Sequence, residues 1–325
     1  MNYKIVMILP YFGKLPNYFD LWLQSAEKNS TIDWLIYTDD ITAYNYPSNV
    51  RVVYLTWDEL KQRVQSKFDF KVALDTPYKL CDFKPTYGEV FSEDISEYDF
   101  WGYCDPDCIW GDIRKFVTND ILSRYNKIMI HGHWAIYRNT EEVSKWYKTL
   151  EPREYHKQVF SSIDSFAFDE GEPEKDNNNF NNIVSKNGHA IYWDYVFDDV
   201  WPKYNNFIAM RAINYARSRG YGDNFRNIMV GYHYIKGKLF GEILIDGKIE
   251  EYETMYVHLQ KRKMKRDSLN NTLDYYIFPN YFVSDILLTP KYMKKACRHK
   301  KINIPHLLIR YKNLKRKIKR FFSKG

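Results

Sequence analysis

Asp105-Pro106-Asp107 sets two carboxylates one residue apart, directly behind the apolar run YDFWGY (98–103). Pro106 fixes φ at the middle position and stiffens the turn between them. On pattern alone, two solvated turn acids fit as well as a cation site. The strand-like run before the pair, and a second acid-ended strand-like segment, DWLIYTDD (33–40), favour the cation. Mg²⁺ and Mn²⁺ take oxygen ligands, commonly one or two carboxylates plus substrate phosphates. A nucleoside diphosphate group suits such a site, because the metal bridges its phosphates and stabilises charge growing on a leaving group.

Elements that would position these acids follow from the hydrophobic pattern. KIVMIL (4–9) is a continuous apolar run, as in a strand buried on both faces, and VRVVYL (50–55) is another strand. YFDLWLQSAEKN (18–29) has helical spacing, and Thr56-x-x-Glu59 is a capping box opening the helix WDELKQRVQSKF. Strands alternating with helices predict a mostly parallel sheet, with ligands at the carboxyl ends of its strands. Tyr11, Asp39 and Asp105 all lie just past strand ends and should share that edge. Two helices are predicted near 141–150 and 155–165, and 169–182 reads as a polar loop. In the third quarter, Asp246-Gly247 between two strand-like runs predicts a hairpin, so antiparallel strands follow the parallel half. No internal repeat is present.

Of the 325 residues, 45% are hydrophobic and 18% aromatic, with 29 Tyr, which bounds the chain to a folded protein with a sizeable core. Four cysteines (Cys81, Cys104, Cys108, Cys297) are too scattered for a disulfide framework and read as reduced thiols. The first residues lack the length and cleavage site of a signal peptide, and no apolar run approaches the roughly 20 residues that span a bilayer. A cytoplasmic protein held peripherally at the inner membrane face is expected. Net charge is +7, yet residues 291–325 hold fourteen Lys and Arg and no acid, leaving 34 basic and 41 acidic side chains, net −7, in 1–290. The segment 305–322 places Leu307, Tyr311, Leu314, Ile318 and Phe321/Phe322 at helical spacing among cations. A basic amphipathic helix on an anionic membrane surface is expected, the alternative being a solvated helix packed on the domain. Nucleic acid is not expected, since the acidic body would repel phosphate.

YKLCDFKPTYGEVFSEDISEYDFWGYCDPDCIWGDI (78–113) resembles the core of the GT-A glycosyltransferases, nucleotide-sugar enzymes with an Asp-x-Asp motif. ILPYFGKLPNYFDLWLQS and WLIYTDD fit the bacterial capsular and cell-surface glycan type of that family, over roughly residues 1–260. The resemblance implies an α/β, Rossmann-like GT-A fold: a mostly parallel central sheet, a smaller antiparallel part and the basic C-terminal helix. It implies a transferase domain over 1–290, its nucleotide-sugar half at about 1–115 and its acceptor half at about 116–290; the membrane-associating tail at 291–325 rests on its own charge and spacing, being less characteristic of the family. Asp107 would chelate Mn²⁺ or Mg²⁺ directly, with Asp105 reaching metal or ribose and His258 completing the shell. Pro10, Tyr11, Phe12 and Asp39 would line the nucleoside pocket. Lys79, Asp82 and Lys84 would contact the nucleotide-sugar, and Lys261 the phosphates. Asp169 or Glu170 would deprotonate the acceptor hydroxyl, Asp169 being preferred and inversion slightly favoured. His131 and His133 are candidates for the acceptor cleft, and Trp101, Trp110 and Trp134 for sugar stacking or, more simply, core packing.

The expected reaction moves a hexose, galactose in pyranose or furanose form, from a UDP-sugar to a lipid-linked glycan acceptor. Another metal-dependent nucleotide enzyme, such as a nucleotidyltransferase, is the first alternative. LPYFGKLPN has one glycine and lacks the phosphate loop such enzymes use. A basic-tailed adaptor without activity is the second, and it leaves Asp105, Asp107 and His258 without a purpose.

Overall fold

In the computed structural model, the apolar run at the N-terminus becomes β1 (Ile5–Tyr11), with Ile5 to Leu9 all buried. The structure describes residues 2–173, 178–220, 228–297, 307, 310, 311 and 315. The chain forms two compact units, Met1–Pro106 with Ile113–Asp194, and Asp107–Asp112 with Tyr195 onward. The first crossing between them falls inside the Asp-x-Asp motif, so Asp105 belongs to the first unit and Asp107 to the second.

The first unit is built on a seven-stranded sheet. Its strands are β1, β2 (Ile32–Thr38), β3 (Val50–Tyr54), β4 (Phe100–Cys104), β6 (Lys127–His131), β7 (Trp134–Arg138) and β8 (Ile191–Tyr192), in the order 3-2-1-4-7-6-8. β3, β2, β1 and β4 run parallel, and β7 runs antiparallel to both β4 and β6. The mixed α/β architecture with a mostly parallel sheet is thus as expected. Order reverses between β1 and β4, the switch point where open α/β sheets leave a crevice past their carboxyl ends. Thr56 accepts the Glu59 amide while Glu59 accepts the Thr56 amide, closing the predicted capping box on helix Trp57–Gln65. Trp101 stacks on Tyr137 at 4.4 Å, and Phe83 on Phe160 at 4.4 Å. Trp101, Trp110 and Trp134 are all fully buried, which is the packing use.

Gly102 in β4 shows how tight this sheet is. A Cβ there would lie 2.4 Å from the Ala135 carbonyl oxygen and 2.8 Å from the Met7 sulfur. Because one obstacle is backbone, Gly102→Ala is expected to cost about 1–3 kcal/mol, checked as a lowered denaturation midpoint with unchanged m-value.

The helix predicted near 141–150 is two short ones, Glu141–Ser144 and Trp146–Thr149, and the next runs Tyr155–Ser161. The polar loop ends early. Asn179 caps a helix Phe180–Lys186 by accepting the Asn182 amide, and Asn181 and Asn182 are buried.

The second unit holds two sheets. The small one is β5 (Cys108–Trp110), β13 (Tyr256–His258) and β9 (Asp198–Asp199), in the order 5-13-9. The other has six strands: β10 (Met229–Ile235), β11 (Lys238–Ile245), β12 (Lys248–Glu253), β14 (Lys265–Ser268), β15 (Asp274–Phe278) and β16 (Tyr281–Val283). Asp246 and Gly247 both take positive φ, 47° and 78°, in the predicted turn between β11 and β12. Helix Pro290–Ala296 buries Met293 and Ala296 with Phe278 and Val283, so the basic segment begins as part of this core. Leu307, Arg310, Tyr311 and Lys315 are helical and exposed; the rest of the predicted tail helix lies outside the described residues. The cysteines are free thiols. Among the described residues no helix is long and apolar enough to cross a membrane.

Candidate active site

Antiparallel pairing of β5 with β13 puts Cys108 opposite His258, and so brings the residue before Cys108 beside the histidine. Asp107 Oδ1 lies 3.2 Å from His258 Nε2. The other carboxylate oxygen accepts the Lys261 amide at 2.5 Å, and the Leu259 amide donates to the Asp107 carbonyl at 2.8 Å. Gln260 and Lys261 both have positive φ, 53° and 58°, so the chain curls around the carboxylate it binds. On the far side of the imidazole, Nδ1 lies 2.8 Å from Asp199 Oδ1, an oxygen that also accepts from Gln260 Nε2 at 2.6 Å. Asp199 thereby fixes the ring with Nε2 facing Asp107, the arrangement that orients metal-ligating histidines.

Asp107 and His258 are both buried. Burial pushes the Asp107 carboxyl up, but the His258 charge and hydrogen bond, with Lys261, overcome it and hold it well below the usual range. Burial likewise works against the imidazolium, and Asp107 and Asp199 outweigh it, keeping His258 protonated well above its usual range. A buried oxygen and an oriented imidazole nitrogen 3.2 Å apart suit a divalent cation, which replaces the proton between them. Mn²⁺ binding at pH 7 is therefore expected to release close to one proton, with affinity rising up to about tenfold per pH unit. Calorimetry in two buffers of different ionisation heat checks this; identical heats would refute it.

In the first unit the β1 edge carries the predicted nucleoside residues. Pro10 and Tyr11 end the strand, and Tyr11 donates its hydroxyl to the Lys14 carbonyl at 3.2 Å. Phe12 packs edge-on against Trp57 at 5.2 Å. Asp39 accepts the Gly13 amide at 2.7 Å, where Gly13 needs its φ of 98°. Asp39 thus fastens the β1 loop while remaining exposed; the neighbouring Asp40 is the buried acid.

Past β4, the Asp105 amide donates to the His133 carbonyl, and Asp105 Oδ1 accepts from Lys84 at 2.8 Å. Lys84 also donates to the Gly132 carbonyl at 2.5 Å and lies 3.7 Å from Asp169 Oδ2. Burial works to discharge this ammonium, but Asp105 and Asp169 hold it well above its usual range. Asp169 is pushed up to about 8 by burial, with Glu170 and Asp105 adding to the rise and Lys84 opposing it. A base works best with a pKa near the operating pH, so this carboxyl is better tuned for proton transfer than an exposed one. Gly132, between the stacked His131 and His133, faces both acids: a Cβ there would come within 2.6 Å of Asp169 and 2.9 Å of Glu170.

Lys79 and Asp82 sit elsewhere in the first unit. They form the i,i+3 pair their spacing implies, at 2.8 Å, but wholly buried and bonded to the 159–168 backbone. That is a scaffold position, against the predicted contact with a nucleotide-sugar. Sequence reading missed Asp199, Gln260 and Gly132. Asp199 did carry a signal, the acid-ended apolar run YVFDD (195–199), the same pattern as WLIYTDD.

Residues 7–286 match a family described as a family of unknown function, DUF6625, and the chain belongs to that family. No curated protein matches the chain. Among solved structures it is similar to the galactosyltransferase LgtC, crystallised with donor and acceptor sugar analogues. That likeness has 10% identity over 68% of this chain and 82% of the other, with a TM-score of 0.36. At that overlap, function has to be argued from the residues.

Proposed function

We propose that this chain is a metal-dependent glycosyltransferase of the GT-A type, moving a hexose from a UDP-sugar to a glycan acceptor. One observation carries the reading: a buried Asp107 and an Asp199-oriented His258 meet at 3.2 Å, directly after the Asp-Pro turn that ends β4. Asp107 and His258 would hold Mn²⁺ or Mg²⁺, with Asp105, two residues earlier, as the third ligand expected from the sequence. The bound metal would supply charge neutralisation for the departing pyrophosphate.

The chain's own groups do the remaining work. Asp199 and Gln260 keep the imidazole aimed, and the Lys261 amide holds the second carboxylate oxygen of Asp107. Lys261 brings a cation for phosphate oxygens. Lys84, bonded to Asp105, keeps a buried positive charge at the end of β4. Asp169 takes the acceptor proton, and its raised pKa makes it a stronger base than a free carboxylate. The Pro10–Phe12 edge with Asp39 is the nucleoside end. A lipid-linked acceptor fits the basic segment beginning at 291, which would keep the enzyme at an anionic bilayer on the cytoplasmic side.

A thermal-shift panel of nucleotides and nucleotide-sugars, with and without Mn²⁺, tests this, because a ligand bound to the native state raises Tm by mass action. A UDP response that requires Mn²⁺ is expected. A response to GDP, CMP or ATP alone would refute the UDP-sugar donor, and no nucleotide response at all would refute the transferase.

A further inference from the structure

Ala167 has φ of +50°, a left-handed backbone that an alanine adopts only when its surroundings impose it. The imposing group is the Asp82 carboxylate. Its oxygens accept the amide of Phe166 at 3.1 and 3.2 Å and the amide of Phe168 at 2.9 Å, gripping the chain on either side of Ala167. Lys79 completes the clamp. Its ammonium bonds Asp82 at 2.8 Å and the carbonyls of Val159 and Asp164 at 2.9 and 2.5 Å, and it lies 5.2 Å from the Phe166 ring centroid. The two charged groups of the clamp, Lys79 and Asp82, are buried while Ala167 itself is exposed, and Asp169 and Glu170 follow one residue on, after the buried Phe168. At the far end, Tyr103 donates to the Asp169 carbonyl at 3.2 Å, and the two carboxyls come down on Gly132, which has no side chain to obstruct them.

We propose that Asp82, backed by Lys79, is a positioning residue. It forces the left-handed step at Ala167 so that the Asp169 and Glu170 carboxylates land on Gly132. The proposal rests on the reading of Asp169 and Glu170 as reacting-end acids, and it moves Lys79 and Asp82 from substrate contacts to an internal clamp. A clamp of this kind predicts a particular genetic logic. Losing the carboxylate should be remedied by a residue that takes φ > 0 freely, and glycine is that residue.

Full-length Asp82→Asn, Ala167→Gly, their combination and Gly132→Ala make the test, in two arms. Hydrogen exchange reads the clamp without any substrate. Asp82→Asn should speed exchange of the Phe166 and Phe168 amides at least tenfold while β1 amides keep their protection; unchanged protection at 166 and 168 overturns the proposal. UDP release from UDP-galactose with Mn²⁺ reads the consequence. Asp82→Asn and Gly132→Ala should each lower kcat tenfold or more and leave the Mn²⁺-dependent Tm shift by UDP intact, since the clamp's bonds run to the 159–168 backbone and not to the Asp107–His258 pair or the Pro10–Phe12 edge. Adding Ala167→Gly to Asp82→Asn should recover threefold or more of that kcat. If Asp82→Asn lowers rate and UDP response together, or fails to fold while Gly132→Ala behaves as wild type, the clamp has no positioning role. A wild-type chain with the expected exchange pattern but no response to UDP and Mn²⁺ would sink the transferase reading alone, the clamp then standing on its exchange rates.

Discussion

Asp107→Ala is expected to abolish the Mn²⁺-dependent response to UDP and to lower UDP-sugar turnover by about a hundredfold to a thousandfold, the range for removing one preorganised charge-stabilising group. Asp107 does three things at once. It presents Oδ1 to His258 Nε2, takes the Lys261 amide on Oδ2, and receives the Leu259 amide on its carbonyl. Alanine keeps only the last. The Lys261 amide then loses its acceptor, and His258 loses the charge that most favours its proton. A lowered Tm alone would thus not separate chemistry from folding. Asp107→Asn does: its carbonyl oxygen can still accept the Lys261 amide, while the loss of charge removes the affinity for a divalent cation. The asparagine chain loses the charge pair with His258 but keeps the Lys261 bond, so it should fold and melt above the alanine chain yet show no Mn²⁺-dependent UDP shift. An asparagine variant with the wild-type response would remove Asp107 from the metal site.

The features legible in the sequence were those written in period and punctuation. β1 and β2 announce themselves as apolar runs because nearly all of their residues are buried, and Thr56 with Glu59 marks a helix start that needs no tertiary context. Asp246-Gly247 likewise fixes its turn locally. Burial of polar groups was not legible. Asn179, Asn181 and Asn182 read as loop composition, yet Asn181 donates to the carbonyls of Ile130 and Gly171 at 2.8 Å each, supplying partners that no strand provides. An amide that replaces missing backbone partners looks the same in sequence as a solvated one. Lys79 and Asp82 misled for a related reason. Their i,i+3 spacing puts both side chains on one helical face, but such a face does not show whether water or the 159–168 backbone lies opposite. His258 was found by resemblance; its orienting partner Asp199 lies on a two-residue strand too short to show a period.

Asp169→Asn should make the protein more stable and far less active, a combination that marks a site whose chemistry opposes its fold. The carboxyl has a pKa of about 8 in the native chain and an ordinary value of 3.8 when unfolded. Between those values the native state binds one proton more than the unfolded state, so this group's contribution to stability falls as pH rises from about 4 to about 8 and is level above. Each pH unit in that window amounts to about 1.4 kcal/mol for a full proton difference. Asparagine carries no titratable proton and escapes the penalty, while its amide occupies nearly the same volume beside Gly132. The variant's Tm should therefore match wild type near pH 4 and exceed it by several degrees at pH 8, the gap opening across that interval. Turnover should move the other way. Wild-type rate is expected to climb with pH toward about 8 as Asp169 ionises, and the amide, unable to accept the acceptor proton, should lose about 10²–10⁴-fold and with it that rising limb. If the asparagine chain were less stable than wild type at every pH, the buried carboxyl would be a favourable structural acid. Its pairing with Lys84 would then be the reason for its presence.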